Sequence, residues 1–145
     1  MKKFIIILPL LIIIIAVVFF IAMKDHNDSA TDILENADFN AENPTVTIFS
    51  IDMDKKEIFT EIEIPEKTQQ ELTKAFQKAK FKKTTINSSN YDYRITITLN
   101  AGYSMYLDSD KKSLTIIRTN QDSTNKNYAI VNDSDFFSIL EKATK

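Results

Sequence analysis

The sequence predicts an α+β protein: an N-terminal transmembrane helix, then a small antiparallel sheet of five to six strands in the order ββαβββ(β)α, packed by two helices. Three observations predict this. Residues 4–23 form an uncharged apolar run. Between residues 45 and 131, apolar and polar side chains alternate in short segments separated by turn residues. Two further segments repeat apolar residues every three to four positions, the spacing of a helix with one buried face.

The apolar run comes first. Met1-Lys2-Lys3 is a positive start, and Phe4 to Met23 carries no charge and no strongly polar side chain. As a helix, a run of that length spans about 30 Å, the thickness of a bilayer's hydrocarbon core. Pro9 falls near its start, where a membrane helix tolerates it. A cleaved secretory signal has a shorter apolar region, about 7–15 residues, followed by a small-x-small site. Here the residues two before Ala16 and Ala22 are Ile14 and Phe20, both bulky. The expectation is an uncleaved signal anchor, with secretion after signal cleavage as the alternative. Lys2 and Lys3 outweigh Lys24, so the positive-inside rule places the N-terminus in the cytoplasm and residues 24–145 outside. The chain is then a single-pass protein that meets the lipid bilayer through residues 4–23.

Composition excludes several chemistries. With no Cys there is no thiol nucleophile, disulfide, Cys-ligated zinc or iron–sulfur cluster. One His rules out a multi-His metal site, and one Gly rules out a glycine-rich phosphate cradle. No cofactor is expected. Lys2 and Lys3 lie before the apolar run, which leaves residues 24–145 with an excess of acid and argues against nucleic acid as a partner. Abundant Ile, Lys, Asn and Phe are residues of AT-rich codons and point to a low-GC Gram-positive bacterium.

After the anchor, residues 24–44 read as a polar stalk, in which Ser29 and Asp32 have capping-box spacing before Ile33 and Leu34. The extracytoplasmic α+β domain is expected over 45–145. Val46 to Ile51 and Ile58 to Ile64 form a hairpin around the Asp52–Lys56 turn. Pro65 opens a helix on which Leu72, Ala75, Phe76 and Ala79 make one stripe. Phe81 to Asn90 reads as a connection. Tyr91 to Leu99 alternates most clearly. Gly102 is expected in a turn that needs positive φ. Strands follow at Tyr103–Leu107 and Leu114–Ile117, with an edge strand at Tyr128–Val131. Asp133 or Ser134 caps a last helix carrying Phe136, Phe137, Ile139 and Leu140.

The Ile-rich hairpin, the Lys-rich helix end, the Tyr-rich strand and the ending from Tyr128-x-Ile130 to Phe136-Phe137 resemble small secreted or membrane-tethered domains of unknown function in Gram-positive bacteria. The resemblance covers residues 45–142. It implies no activity and no site residues.

The candidate functional residues are few. His26 stands alone in the stalk, without the orienting partner that a catalytic His needs. Asp52/Asp54, Asp108/Asp110 and Asp133/Asp135 share D-x-D spacing. From Asp108, however, the sixth position of a calcium loop is Ser113 and the twelfth is Thr119, so turns and a helix cap explain the pairs better. Lys74, Lys78, Lys80, Lys82 and Lys83 form a basic cluster suited to an anionic lipid, a wall polymer or a partner protein, or simply to a solvated helix end. Tyr106 lies opposite Met105 and Leu107 on its strand and is the candidate exposed aromatic. With one Gly, no G-x-S-x-G is present. The sequence therefore predicts no catalytic residues, no metal site and no enzyme. It predicts a membrane-tethered binding module whose partner is an envelope protein or an anionic wall or lipid component. A regulatory or immunity-type subunit acting partly through its transmembrane helix is the first alternative. An enzyme whose acidic residues converge only in the fold is the second.

Overall fold

The alternation between residues 45 and 131 folds into one eight-stranded, wholly antiparallel sheet in a computed structural model that describes residues 13–15, 27–85, 90–117, 125–132 and 135–145. The strands are β1 (Asp28–Ser29), β2 (Thr45–Ile51), β3 (Phe59–Ile62), β4 (Lys80–Thr84), β5 (Tyr93–Thr98), β6 (Gly102–Asp108), β7 (Ser113–Ile117) and β8 (Lys126–Ile130). Their order across the sheet is β1-β4-β8-β7-β6-β5-β2-β3. Strands β5 to β8 are a meander. The β2–β3 hairpin borders it on one side, and β4 on the other. Helices α1 (Ala30–Ile33), α2 (Glu66–Lys78) and α3 (Phe136–Ala143) complete the fold.

Eight strands replace the expected five to six. The two additions fall where the sequence shows little apolar alternation. Strand β4 reads Lys-Phe-Lys-Lys-Thr, and its one buried anchor is Phe81. Phe81 sits against Phe76 of α2 at 5.1 Å between ring centroids and against Tyr128 of β8 at 6.5 Å. A lysine-rich strand beside the sheet edge also discourages pairing with other chains. Because β4 pairs with β8, β8 is an interior strand and not the edge strand expected at Tyr128–Val131. Strand β1 belongs to the stretch read as a stalk. There the Ser29 amide donates to the Asp32 carboxylate at 2.7 Å, and the one-turn helix behind it buries Ala30, Ile33 and Leu34. Four residues make too short a helix to stand alone, so docking on the core stabilises it.

The expected transmembrane signal-anchor helix is also corrected. Among the described residues no helix is long and apolar enough to cross a membrane. The longest is α2, at 13 residues, with a polar outer face. Of residues 4–23, only the helical, exposed Ile13–Ile15 lie within the described set. The rest of that run, and His26, lie outside it.

The core lies between the helices and one face of the sheet. Ile48, Ile95, Met105 and Ile116 are adjacent in register across β2, β5, β6 and β7, and all are buried. Above them, Phe76 of α2 meets Phe136 of α3 edge-on at 5.5 Å and Phe39 at 6.5 Å. Three side-chain amides fasten the connections. Gln69 accepts from the Val46 amide and donates to the Ile64 carbonyl, joining α2 to the β2–β3 hairpin. Asn100 accepts from the Asp38 amide and donates to the Asn36 carbonyl. Asn132 accepts from the Lys80 amide and donates to the Lys78 carbonyl. Each satisfies two backbone groups that no ladder reaches.

Gly102 departs from expectation. It opens β6 in register with Thr98, and its φ is not positive. Among the described residues the left-handed positions are Asn36, Asn43, Lys112 and Asp135.

Candidate binding face

The second face of the sheet has no helix on it among the described residues. One register row crosses it from β3 to β4: Glu61, Phe49, Arg94, Tyr106, Thr115, Asn127 and Thr84. An antiparallel sheet that faces water on one side normally carries polar residues there. Here the centre of the row is aromatic and cationic. Tyr91, just before β5, lies over the face with its ring 5.2 Å from that of Tyr106. Its hydroxyl shares a 2.8 Å hydrogen bond with Thr115 Oγ1, and Thr115 donates to Asn127 Oδ1 at 2.7 Å. This chain fixes the tyrosine pair and buries Thr115. Phe59 of β3 stands diagonally across from Arg94, its ring centroid 5.9 Å from the guanidinium carbon.

Arg94 is the anomaly of this face. Its Nε is covered and has no hydrogen-bond partner among the described residues. No ion pair joins it to a carboxylate there. A covered N–H without an acceptor costs about 1–3 kcal/mol. The cation–π contact returns about 0.5–1 kcal/mol at a partly exposed site. The nearby acids are used otherwise. Asp92 accepts from the Ser109 amide at 2.8 Å and from its hydroxyl at 2.6 Å. Asp108 accepts from the Lys111 amide and pairs with its ammonium at 3.1 Å. Glu61 is exposed at the β3 edge.

A groove on the opposite side, between the β6–β7 turn and α3, has a volume of about 380 Å³. Tyr93, Ser109, Asp110, Lys112, Ser138 and Glu141 are among its lining. Several of its polar groups are already engaged. The Tyr93 hydroxyl bonds Thr144 Oγ1 at 3.0 Å, Ser109 bonds Asp92, and Glu141 pairs with Lys145 at 2.6 Å. The hydrogen bond from Lys145 holds the Glu141 carboxyl below its ordinary range. The groove offers few convergent free groups.

The residues singled out in the sequence are dispersed. Lys74 and Lys78 are exposed on α2, whereas Lys80, Lys82 and Lys83 belong to β4. Lys80 and Lys82 alternate with the buried Phe81 and so share the helix-free face, while Lys83 lies on the other. The five lysines therefore form no single surface. Tyr106 is half-buried under Tyr91. Asp52 closes its turn by accepting from the Asp54 amide, and a hydrogen bond from Lys55 lowers its pKa. Asp133 lies outside the described residues, and Asp135 takes the α3 N-cap position without a side-chain bond. Among the described residues no three His, Cys, Asp or Glu side chains are placed to hold a metal ion. Arg94 and Phe49 were not legible as site residues. Each is an ordinary member of an alternating strand, and only the register brings them together.

No protein-family model, curated protein or solved structure matches this chain.

Proposed function

We propose that this protein is a non-catalytic binding module that acts outside the cytoplasm and recognises a partner protein through the helix-free face of its sheet. The observation that carries this reading is the row Phe49–Arg94–Tyr106, with Phe59 and Tyr91 beside it. Aromatic residues and arginine dominate the residues that hold protein interfaces together. The row from Phe49 to Asn127 crosses five strands, about 19 Å at the usual strand spacing. Small-molecule sites are concave, whereas a protein surface matches a broad face of this kind. Export is supported by the positive start and the apolar run over residues 4–23. The absence of Cys and of a G-x-S-x-G motif supports binding without catalysis.

The test is photo-crosslinking in the protein's own intact cells. A photoreactive side chain replaces Tyr106 on the proposed face in one variant and Lys74 on the outer surface of α2 in another. The expected result is a discrete protein adduct from position 106 and none from position 74. Adducts from position 74 alone, or the same adducts from both positions, would overturn the reading.

A further inference from the structure

We infer that Arg94 is the anchor for a carboxylate side chain carried on an apolar-flanked segment of the partner protein. This rests on the reading of the helix-free face as the recognition surface. Arg94 has no ion pair and no hydrogen bond to its guanidinium among the described residues, and the acids nearest it along the chain and on the neighbouring strand, Asp92 and Asp108, are held by Ser109 and Lys111. A guanidinium is charged at every ordinary pH and presents a planar fork that matches a carboxylate. Because Nε is covered, the fork is met end-on, through the two Nη groups.

The surroundings select the rest of the ligand. Phe49 and Tyr106 flank Arg94 in register, and Phe59 lies against it. An acidic side chain seated on Arg94 places its neighbouring residues on these rings, which displaces water and strengthens the ion pair. Glu61 lies two strands away in the same row, and its charge disfavours a free anion. A bare ion therefore gains little here. A segment that adds apolar contact to its carboxylate gains both.

The chain has two arginines, Arg94 and Arg118, so selective labelling of arginine side chains gives two sets of signals, of which Arg94→Gln removes and so assigns one. The full chain, in detergent micelles, is titrated with a capped Phe-Glu-Phe peptide and with its Phe-Gln-Phe counterpart at millimolar concentrations, following arginine side-chain signals and backbone amides by NMR. The expected result is that the Glu peptide shifts the Arg94 signals and the amides of Phe49 and Tyr106, and binds at least about tenfold more tightly than the Gln peptide. Arg94→Gln should erase that difference. Arg94→Lys should restore part of it, since a point charge remains without the fork. Equal binding of both peptides with the same amide shifts would overturn the Arg94 assignment and leave the face as the recognition surface. A Glu preference that persists in Arg94→Gln, or whose shifts fall on other parts of the fold, would also overturn the assignment. No shift on this face with either peptide would overturn both.

Discussion

The two faces of the sheet are built from the same strands and do different work. On the helix side, Ile48, Ile95, Met105 and Ile116 are buried under α2 and α3, and aromatic rings from Phe39, Phe76, Phe81 and Phe136 fill the space above them. On the other side, Phe49, Arg94 and Tyr106 are neighbours in register on adjacent strands, and Tyr91 and Phe59 lie beside them with no helix above among the described residues. Sequence neighbours thus divide between roles. Ile95 is part of what holds the molecule together, and Arg94 beside it carries a covered Nε, without a partner among the described residues, that stability alone does not account for. A cost that the contact with Phe59 only partly returns marks a place where function has set the residue.

This contrast yields a graded set of expected effects. Ile95→Ala should cause the largest loss, about 2–5 kcal/mol, because it opens a cavity where the helices and sheet already fill the space. Urea unfolding of the full chain in detergent measures it, and a loss under about 1 kcal/mol would mean the helix side is not close-packed. Gln69→Leu should cost about 1–3 kcal/mol, since it strands the Val46 amide and the Ile64 carbonyl where α2 meets the hairpin. Hydrogen exchange at Val46 should rise in that variant before exchange in the meander does. Tyr91→Phe should cost about 0.5–1.5 kcal/mol. It removes one hydroxyl bond to Thr115 while the Thr115–Asn127 bond remains, and a shift of the Tyr106 ring signals would report it.

The smallest effect concerns the exposed end of α3. The hydrogen bond from Lys145 lowers the Glu141 carboxyl pKa and raises that of the Lys145 ammonium. The sign follows for each group. The carboxyl's contribution is present above its unfolded-state pKa and fades as pH falls through the lowered one; the ammonium's is present at neutral pH and fades as pH rises through the raised one. Both groups are in water, where such pairs contribute little. Glu141→Gln should therefore leave the unfolding midpoint at neutral pH within error and flatten its slope in acid. An unchanged acid slope would show the pair to be without effect.

What the sequence made legible follows the same division. Strands whose apolar residues alternate were visible because burial on one face imposes a period of two, as at Ile95 and Ile97. The Leu72–Phe76 stripe of α2 was visible for the equivalent helical reason. Strand β4 was not, because four of its five residues are polar and its place depends on Phe81 reaching α2 and Tyr128. At residues 28–34 the Ser29–Asp32 capping box was legible, but the pairing of β1 with β4 and the docking of the one-turn helix on the core were not, because so short a helix forms only by docking. The three amide clamps depend on backbone groups brought near from 5 to 64 residues away. The binding face was the least legible part. Of its residues only Tyr106 stood out, as an exposed aromatic; Phe49 and Arg94 read as ordinary strand positions, and the three become a surface only once β2, β5 and β6 are in register.

The most direct test of the account compares Arg94→Leu with the unaltered full chain, measuring urea unfolding and Phe-Glu-Phe binding on the same samples. The account predicts that stability stays equal or rises, since the uncompensated Nε is removed, while the preference for the Glu peptide over the Gln peptide disappears. A loss of stability comparable to that of Ile95→Ala, with the peptide preference intact, would contradict it and make Arg94 part of the scaffold.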